Sequence, residues 1–165
     1  MRWLVTAALL LLMLALDATA APRIALFDAP PDLLIILVVE LALLCPDLQG
    51  ILWSWALGLL DDLHSGNPLG LSALTYALIA LVVAGIRRQV FARHILTRLL
   101  LVVIADFLHH FALMFSQIIR GQELHFLLFW RHALLGVLYT AVVALVLLPL
   151  LSLILGRLYR SRRAV

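Results

Sequence analysis

Residues 58–74 read GLLDDLHSGNPLGLSAL and lie between two long apolar segments of the chain. The segment Ser65-Gly66-Asn67-Pro68 combines residue types that end helices, and Asn67 as an N-cap before Pro68 predicts that a second helix begins there. Gly70 adds no side chain, so the chain can approach another helix closely there, and Gly58 belongs to the same hairpin motif. The stretch therefore predicts a tight hairpin of two helices.

The composition of the whole chain indicates the surroundings of this hairpin. Of the 165 residues, 65% are hydrophobic, and the mean hydropathy is +1.15, whereas an ordinary soluble domain is about 45 to 50% apolar. A helix that crosses the hydrocarbon needs about 20 residues, so six helices use about 120 and leave about 45 for loops and tails. We therefore expect a membrane protein without a separate soluble catalytic domain.

Apolar segments along the chain predict its transmembrane helices. The expected spans are residues 3–20, 31–45, 46–63, 68–86, 95–119 and 133–155. Residues 121–132, with Phe126, Phe129 and Trp130, fit either an interfacial strip or an early start of the sixth span. They predict an all-α fold, a single six-helix transmembrane domain over residues 1–165. The first span also fits a cleavable signal peptide, because Arg2 precedes the apolar run and Ala18-Thr19-Ala20 follows it. Both interpretations of residues 1–20 stay open.

The charges predict an orientation in the membrane. All twelve basic residues are arginines, and against nine acids they give a formal charge of +3. With both termini in the cytoplasm, nine arginines lie on the cytoplasmic side of the membrane, as the positive-inside rule favours. These nine are Arg2, Arg87, Arg88, Arg93, Arg98, Arg157, Arg160, Arg162 and Arg163. The C-terminal arginines are expected to contact anionic lipids. We do not expect binding to nucleic acid, because the sequence has no basic face with aromatic residues that could stack on bases.

The hairpin carries a pattern that also occurs in a known family. Gly58-x-x-x-Asp62 is followed by Ser65-Gly66 and Leu69-Gly70, and an earlier helix opens at Pro31-Asp32 and closes at Pro46. With the chain length and the basic tail, these features resemble the MreD family of rod shape-determining proteins. The chain departs from the family pattern at Glu40, where an aromatic residue is common, and at Leu44-Cys45, where basic residues are common.

The resemblance implies a non-enzymatic component of the bacterial cell-elongation machinery that helps organise peptidoglycan synthesis and cell shape. It implies direct binding to MreC, and a wider complex with MreB, RodA and a class B penicillin-binding protein. It implies no cofactor. It also implies a fold similar to the six-helix substrate-binding subunits of vitamin transporters, an analogy that carries no function by itself.

Ionisable residues inside the predicted spans are the first candidates for a site. Asp106, His109 and His110 lie at i, i+3 and i+4 on one face of the fifth span, and Glu40 lies near the middle of the second. Such residues face a bundle interior or a partner. Glu40, Asp106 and His109 are therefore candidate partner contacts. A metal or proton role at Asp106 would need a further group from another helix.

The hairpin helices provide two more candidate partner contacts. Small residues at helical spacing form a stripe that lets another helix approach, and they are Ala73, Ala77, Ala80 and Ala84. Asp61 and Asp62 oppose the dipole at a helix C-terminus. Either a cation, a basic segment of a partner, or Arg120 or Arg131 of the chain itself neutralises them, or water solvates them.

Two other function classes fit parts of the sequence. Gly70-Leu71-Ser72-Ala73 fits the Gly-x-Ser-x pattern of rhomboid-type intramembrane proteases, although their Ala-His-x-x-Gly motif is missing. A substrate-binding subunit of a membrane importer would need polar and aromatic groups from several helices, and only His64, Asn67 and Trp55 qualify. The partner-binding interpretation therefore leads.

Overall fold

The computed structural model describes residues 2–23, 30–66, 68–87, 94–121 and 126–159. The predicted all-α class is confirmed, because these residues form helices and no strand. The six α-helices are α1 Arg2–Thr19, α2 Leu33–Leu44, α3 Asp47–Ser65, α4 Leu71–Ile86, α5 Ile95–Ile119 and α6 Phe126–Tyr159, and a 3-10 turn at Ala21–Arg23 follows α1. Asn67, Arg88, Arg93 and the tail arginines beyond Tyr159 lie outside the described residues.

The helices have the lengths and surfaces of a membrane protein. Ile95–Ile119 and the Phe129–Tyr159 part of α6 are long and apolar enough to cross a membrane, and Trp3–Thr19, Leu33–Leu44 and Leu71–Ile86 are shorter apolar helices. Large apolar side chains are exposed along α1 and α3 to α6. An exposed apolar surface of this extent marks contact with lipid or with other membrane helices.

Helix α2 is the centre of the bundle and contacts each of the other five helices. Its sequence, LLIILVVELALL, has no polar face, and all its residues from Leu33 to Leu43 are buried. A helix that is apolar all round is buried all round. Twelve residues rise only about 18 Å, less than the hydrocarbon thickness of about 30 Å. The ends of α2 therefore lie among other helices, where their free backbone groups need partners.

Three side chains supply those partners at the N-terminus of α2. The carboxylate of Asp32 accepts a hydrogen bond from the Ile35 N–H at 2.9 Å, and that of Asp17 in α1 accepts from the Leu33 N–H at 3.0 Å. The Thr140 hydroxyl of α6 accepts from the Asp32 N–H at 2.9 Å. Two carboxylates at a helix N-terminus also interact favourably with its dipole.

Arg87, directly after α4, caps the other end of α2. Its guanidinium donates to the carbonyl oxygen of Ala42 at 3.0 Å and to that of Cys45. It also pairs with Asp47, the first residue of α3. A cation that bonds the last carbonyl groups of a helix replaces the acceptors that water would supply at an exposed end.

The α3–α4 hairpin forms as predicted, but α4 begins at Leu71, three residues after the predicted start at Pro68. Gly66 ends α3 in the left-handed region with φ +69°, and Gly70 precedes α4 with φ +96°. These φ values favour glycine. Because Gly70 adopts a left-handed conformation, α4 begins after it and not at Pro68.

Helices α3 and α4 touch at Gly58. A Cβ atom built on Gly58 would lie 2.5 Å from the carbonyl oxygen of Ser72 and 2.6 Å from the Cα of Ala73. By contrast, a Cβ built on Gly85 of α4 meets none of the described atoms within 4 Å. The two backbones can therefore pack this closely only because Gly58 has no side chain.

Gly58→Ala is expected to lower the free energy of unfolding by about 2 to 3 kcal/mol, because the added methyl group forces two backbones apart. Gly85→Ala provides the control and should be neutral or stabilise by up to about 1 kcal/mol, because alanine favours helix. The measurement is the melting temperature of each purified variant in detergent. Equal melting temperatures for the two variants would contradict the close contact.

Helix α1 is integrated into the bundle. Leu10 and Met13 are buried, the hydroxyl groups of Thr6 and Tyr159 lie 2.9 Å apart, and Asp17 caps α2. In this structure α1 therefore packs as one of the helices of the bundle.

Candidate functional site

Most of the predicted polar candidates gather toward one end of the bundle. We call the end that carries the α3–α4 turn, with Gly66 and Gly70, the hairpin end, and the end that carries Arg87 and Arg98 the opposite end. Asp61 and Asp62 come from α3, Ser72 and Tyr76 from α4, and Asp106, His109 and His110 from α5. Glu40 lies toward the opposite end of α2.

Asp62 is buried and caps α4 from the neighbouring helix. Its two carboxylate oxygens accept hydrogen bonds from the N–H groups of Gly70 at 2.8 Å, Ser72 at 2.9 Å and Ala73 at 3.3 Å. The side chain is only 2% exposed, so the solvated helix end considered from the sequence does not occur here. Asp62 fills the place of an N-cap that the residues before Leu71 do not supply.

Asp61 of α3 contacts Tyr76 of α4, and Tyr76 in turn contacts His109 of α5. The Tyr76 hydroxyl donates to Asp61 Oδ2 over 3.4 Å, and the Tyr76 ring centroid lies 5.0 Å from that of His109. Tyr76 is buried, whereas Asp61 is half-buried. Asp61 is therefore the acid of the pair that keeps access to the surface.

Asp106 and His110 form a close but incomplete pair inside α5. His110 Nδ1 lies 3.1 Å from Asp106 Oδ1 and 3.0 Å from the Asp106 carbonyl oxygen, so one nitrogen serves two acceptors. Neither carboxylate oxygen of Asp106 has a hydrogen bond of good geometry within the described residues, and neither has Nδ1 of His109. The predicted one-face arrangement of these residues occurs, but in the described ranges no three His, Cys, Asp or Glu side chains are arranged to hold a metal ion.

Glu40 has its counter-ion within the chain. Arg98, in the first turn of α5, donates to Glu40 Oε1 at 3.1 Å and Oε2 at 3.4 Å. Glu40 is completely buried, while the Arg98 side chain is 16% exposed. An acid inside the membrane is expected to have a partner, and Glu40 has one. The partner is Arg98, which belongs to the group of arginines around the loop between α4 and α5.

Comparison with known proteins decides the family. The family described as rod shape-determining protein MreD matches residues 1–158. The chain belongs to the MreD family. No curated protein and no solved structure matches it. The resemblance carried by the hairpin is confirmed, and membership in the MreD family supports a role in rod shape determination.

Within this MreD chain the predicted alanine stripe is used by the chain's own helices. Ala73, Ala80 and Ala84 are buried and Ala77 is half-buried, and α4 packs against α2, α3 and α5. Close approach at small residues therefore builds the MreD fold itself. Nothing in the described surface leaves this stripe open to a second protein.

The alternative function classes find little support in the geometry. A serine protease needs a histidine bonded to its nucleophile, and within the described residues no histidine is hydrogen-bonded to the Ser72 hydroxyl. The importer residues do not converge, because His64 and Trp55 are exposed and Asn67 lies outside the described part of the chain. Proteins of the MreD family are shape-determining components.

Proposed function

We propose that the chain is a non-catalytic component of the cell-elongation machinery that binds MreC in the bacterial inner membrane. In this proposal it has six membrane spans with both termini in the cytoplasm. MreB, RodA and a class B penicillin-binding protein belong to the wider complex that organises peptidoglycan synthesis. Family membership supports the role in rod shape, and the internal pairing of charges supports a binding role without catalysis.

The observation that carries this proposal is what the charged side chains between the helices bond. Asp17, Asp32, Asp62 and Arg87 bond the free backbone groups of helix ends, and Glu40 pairs with Arg98. Charged side chains used in this way fix helix ends and pairings, so they stabilise one arrangement of the bundle. A rigid bundle of this kind suits a protein that presents surfaces to others.

The hairpin end offers the surface that we propose for MreC. Leu63 and His64 are exposed there beside the half-buried carboxylate of Asp61. The combination of an apolar side chain, an imidazole and an acid suits the segment where a transmembrane helix leaves the membrane. We therefore propose that MreC contacts this end with its transmembrane helix and the residues just outside it.

Crosslinking from two leucines of α3 tests the proposal. A photo-reactive phenylalanine analogue at Leu63 is expected to crosslink to co-expressed MreC at least about five times more strongly than the same analogue at Leu48. Leu48 is the matched control, because it lies at the other end of α3 and is 71% exposed, against 66% for Leu63. If the two proteins do not co-purify in mild detergent, the proposed binding is wrong. Equal crosslinking would reject the hairpin end as the contact.

A further inference from the structure

Five side chains of three helices form a polar cluster toward the hairpin end. It consists of Asp61 of α3, Ser72 and Tyr76 of α4, and Asp106 and His109 of α5. The Tyr76 hydroxyl reaches Asp61 and the Tyr76 ring contacts the His109 ring. Asp106 lies one helical turn before His109, and both Asp61 and Asp106 interact electrostatically with Tyr76. We call this set the polar cluster.

The two acids of the polar cluster differ from the other acids nearby. Asp17, Asp32 and Asp62 are bonded to N–H groups at helix N-termini, which stabilise a negative charge. Asp61 has hydrogen-bonding interactions only with the hydroxyl groups of Tyr76 and Ser72 among the described residues, and Asp106 receives only the shared nitrogen of His110. Asp61 and Asp106 therefore have acceptor capacity that the described structure leaves unused.

Two buried side chains of α5 have polar atoms without partners. Both carboxylate oxygens of Asp106 and Nδ1 of His109 have no hydrogen bond of good geometry within the described residues. Asp106 is completely buried and His109 is 4% exposed. Burial of polar atoms without partners is costly, and native proteins rarely tolerate several together. Asp106 and His109 therefore leave polar atoms open to a hydrogen-bonding ligand.

Within the described residues, no arginine pairs with Asp61 or Asp106. The sequence contains no lysine, and the arginine ion pairs of the described residues, those of Arg87 and Arg98, both lie at the opposite end. Arg23, Arg120 and Arg131 are exposed on the outside. His110 is the one nearby group among the described residues that can carry a positive charge, and its Nδ1 is already shared.

We propose that the polar cluster binds a hydrogen-bonding organic cation, a primary ammonium or a guanidinium. Carboxylate and hydroxyl oxygens and an unpartnered imidazole nitrogen all accept N–H hydrogen bonds, and such cations supply several N–H donors with one positive charge. The half-buried side of Asp61 gives access from the hairpin end. The cation comes either from a soluble amine or from a lysine or arginine side chain of another membrane protein. The site does not depend on the proposed binding of MreC.

Thermal unfolding of the purified protein in detergent tests the site. Butylammonium and butylguanidinium chloride serve as soluble probes, and an oligoleucine transmembrane peptide with one arginine, compared with the all-leucine peptide, serves as the membrane probe. A bound probe at one hundred times its Kd should raise the melting temperature by about 5 to 10 °C. Tetramethylammonium chloride at the same concentration has no N–H donor and should give no such rise.

The outcomes separate the two sources and can overturn the proposal. A rise with the butyl cations indicates a soluble ligand, and a rise with the arginine peptide alone indicates a side chain of a membrane partner. No rise with any of these probes, or an equal rise with tetramethylammonium, overturns the proposal.

Variants of the cluster add a second measurement. Asp106→Asn should weaken the apparent affinity for the responding probe at least about tenfold. Ser72→Ala should weaken it about threefold and keeps the backbone hydrogen bond to Asp62, so it serves if Asp106→Asn does not fold. Asp47→Asn, at the opposite end, is the control and should bind as the wild type does. Unchanged affinity in both cluster variants would overturn the site.

Discussion

Asp62→Ala is expected to lower the free energy of unfolding by about 4 kcal/mol, and the melting temperature in detergent by about 10 °C. The substitution removes the acceptor of three backbone N–H groups, those of Gly70, Ser72 and Ala73. These groups are held against α3 by the close contact at Gly58, so water does not replace the carboxylate without opening the hairpin. Loss of this acceptor leaves buried donors unsatisfied.

Two further variants show whether the effect comes from the cap. Asp62→Asn keeps one acceptor oxygen and should lose about half as much stability. Asp61→Asn weakens only the contacts with the hydroxyl groups of Tyr76 and Ser72 and should cost less than about 1 kcal/mol. If Asp61→Asn destabilised the protein as much as Asp62→Ala, the effect would be one of local charge, and the capping role of Asp62 would be wrong.

The buried pair of Glu40 and Arg98 is expected to respond unequally to the loss of either partner. Arg98→Leu leaves a completely buried carboxylate without its cation and should lower the free energy of unfolding by about 3 to 5 kcal/mol. Glu40→Leu should cost only about 1 to 2 kcal/mol, because the partly exposed Arg98 side chain can extend toward the membrane surface. The melting temperatures of both variants in detergent measure this order.

The double variant shows how much of each stability loss comes from the interaction between Glu40 and Arg98. Glu40→Leu combined with Arg98→Leu should be within about 1 kcal/mol of the wild type, because two apolar side chains replace two desolvated charges. Asp47→Asn removes a more exposed partner of Arg87 and should cost no more than about 1 kcal/mol. A double variant as unstable as the sum of both single variants would show that Glu40 and Arg98 stabilise the fold independently.

Local sequence signals predicted the helices well. The Ser65-Gly66 break, the apolar run of α2 and the long apolar run of α5 all produced helices close to the expected places. The boundaries of α4 and α6 were less predictable. The cap of α4 comes from Asp62 rather than from the residues before it, and α6 begins at Phe126 instead of residue 133. The cause at α4 is a contact between helices, which local propensity does not contain.

The candidate site was predicted in its residue types more than in their roles. The i, i+3, i+4 spacing placed Asp106, His109 and His110 on one face, since helix geometry alone decides this. The same reasoning treated Arg87 and Arg98 as markers of orientation. Their contacts with α2 depend on which helices become neighbours, and periodicity within one helix does not reveal that. Tyr76 and Thr140 were missed because each looks like an ordinary polar residue in an apolar helix.

Glu40 of the central helix α2 pairs with Arg98, which lies far along the chain in α5, and this separation affects the order in which the helices assemble. Arg98 is 58 residues beyond Glu40 in the chain, so at about 5 to 20 residues per second about 3 to 12 s of synthesis separate them. During this interval α2 carries an acid without its cation, in a segment too short to cross the hydrocarbon. It cannot enter lipid on its own as a finished span. We therefore expect α2 to take its final place in the bundle only after the fifth helix has been made.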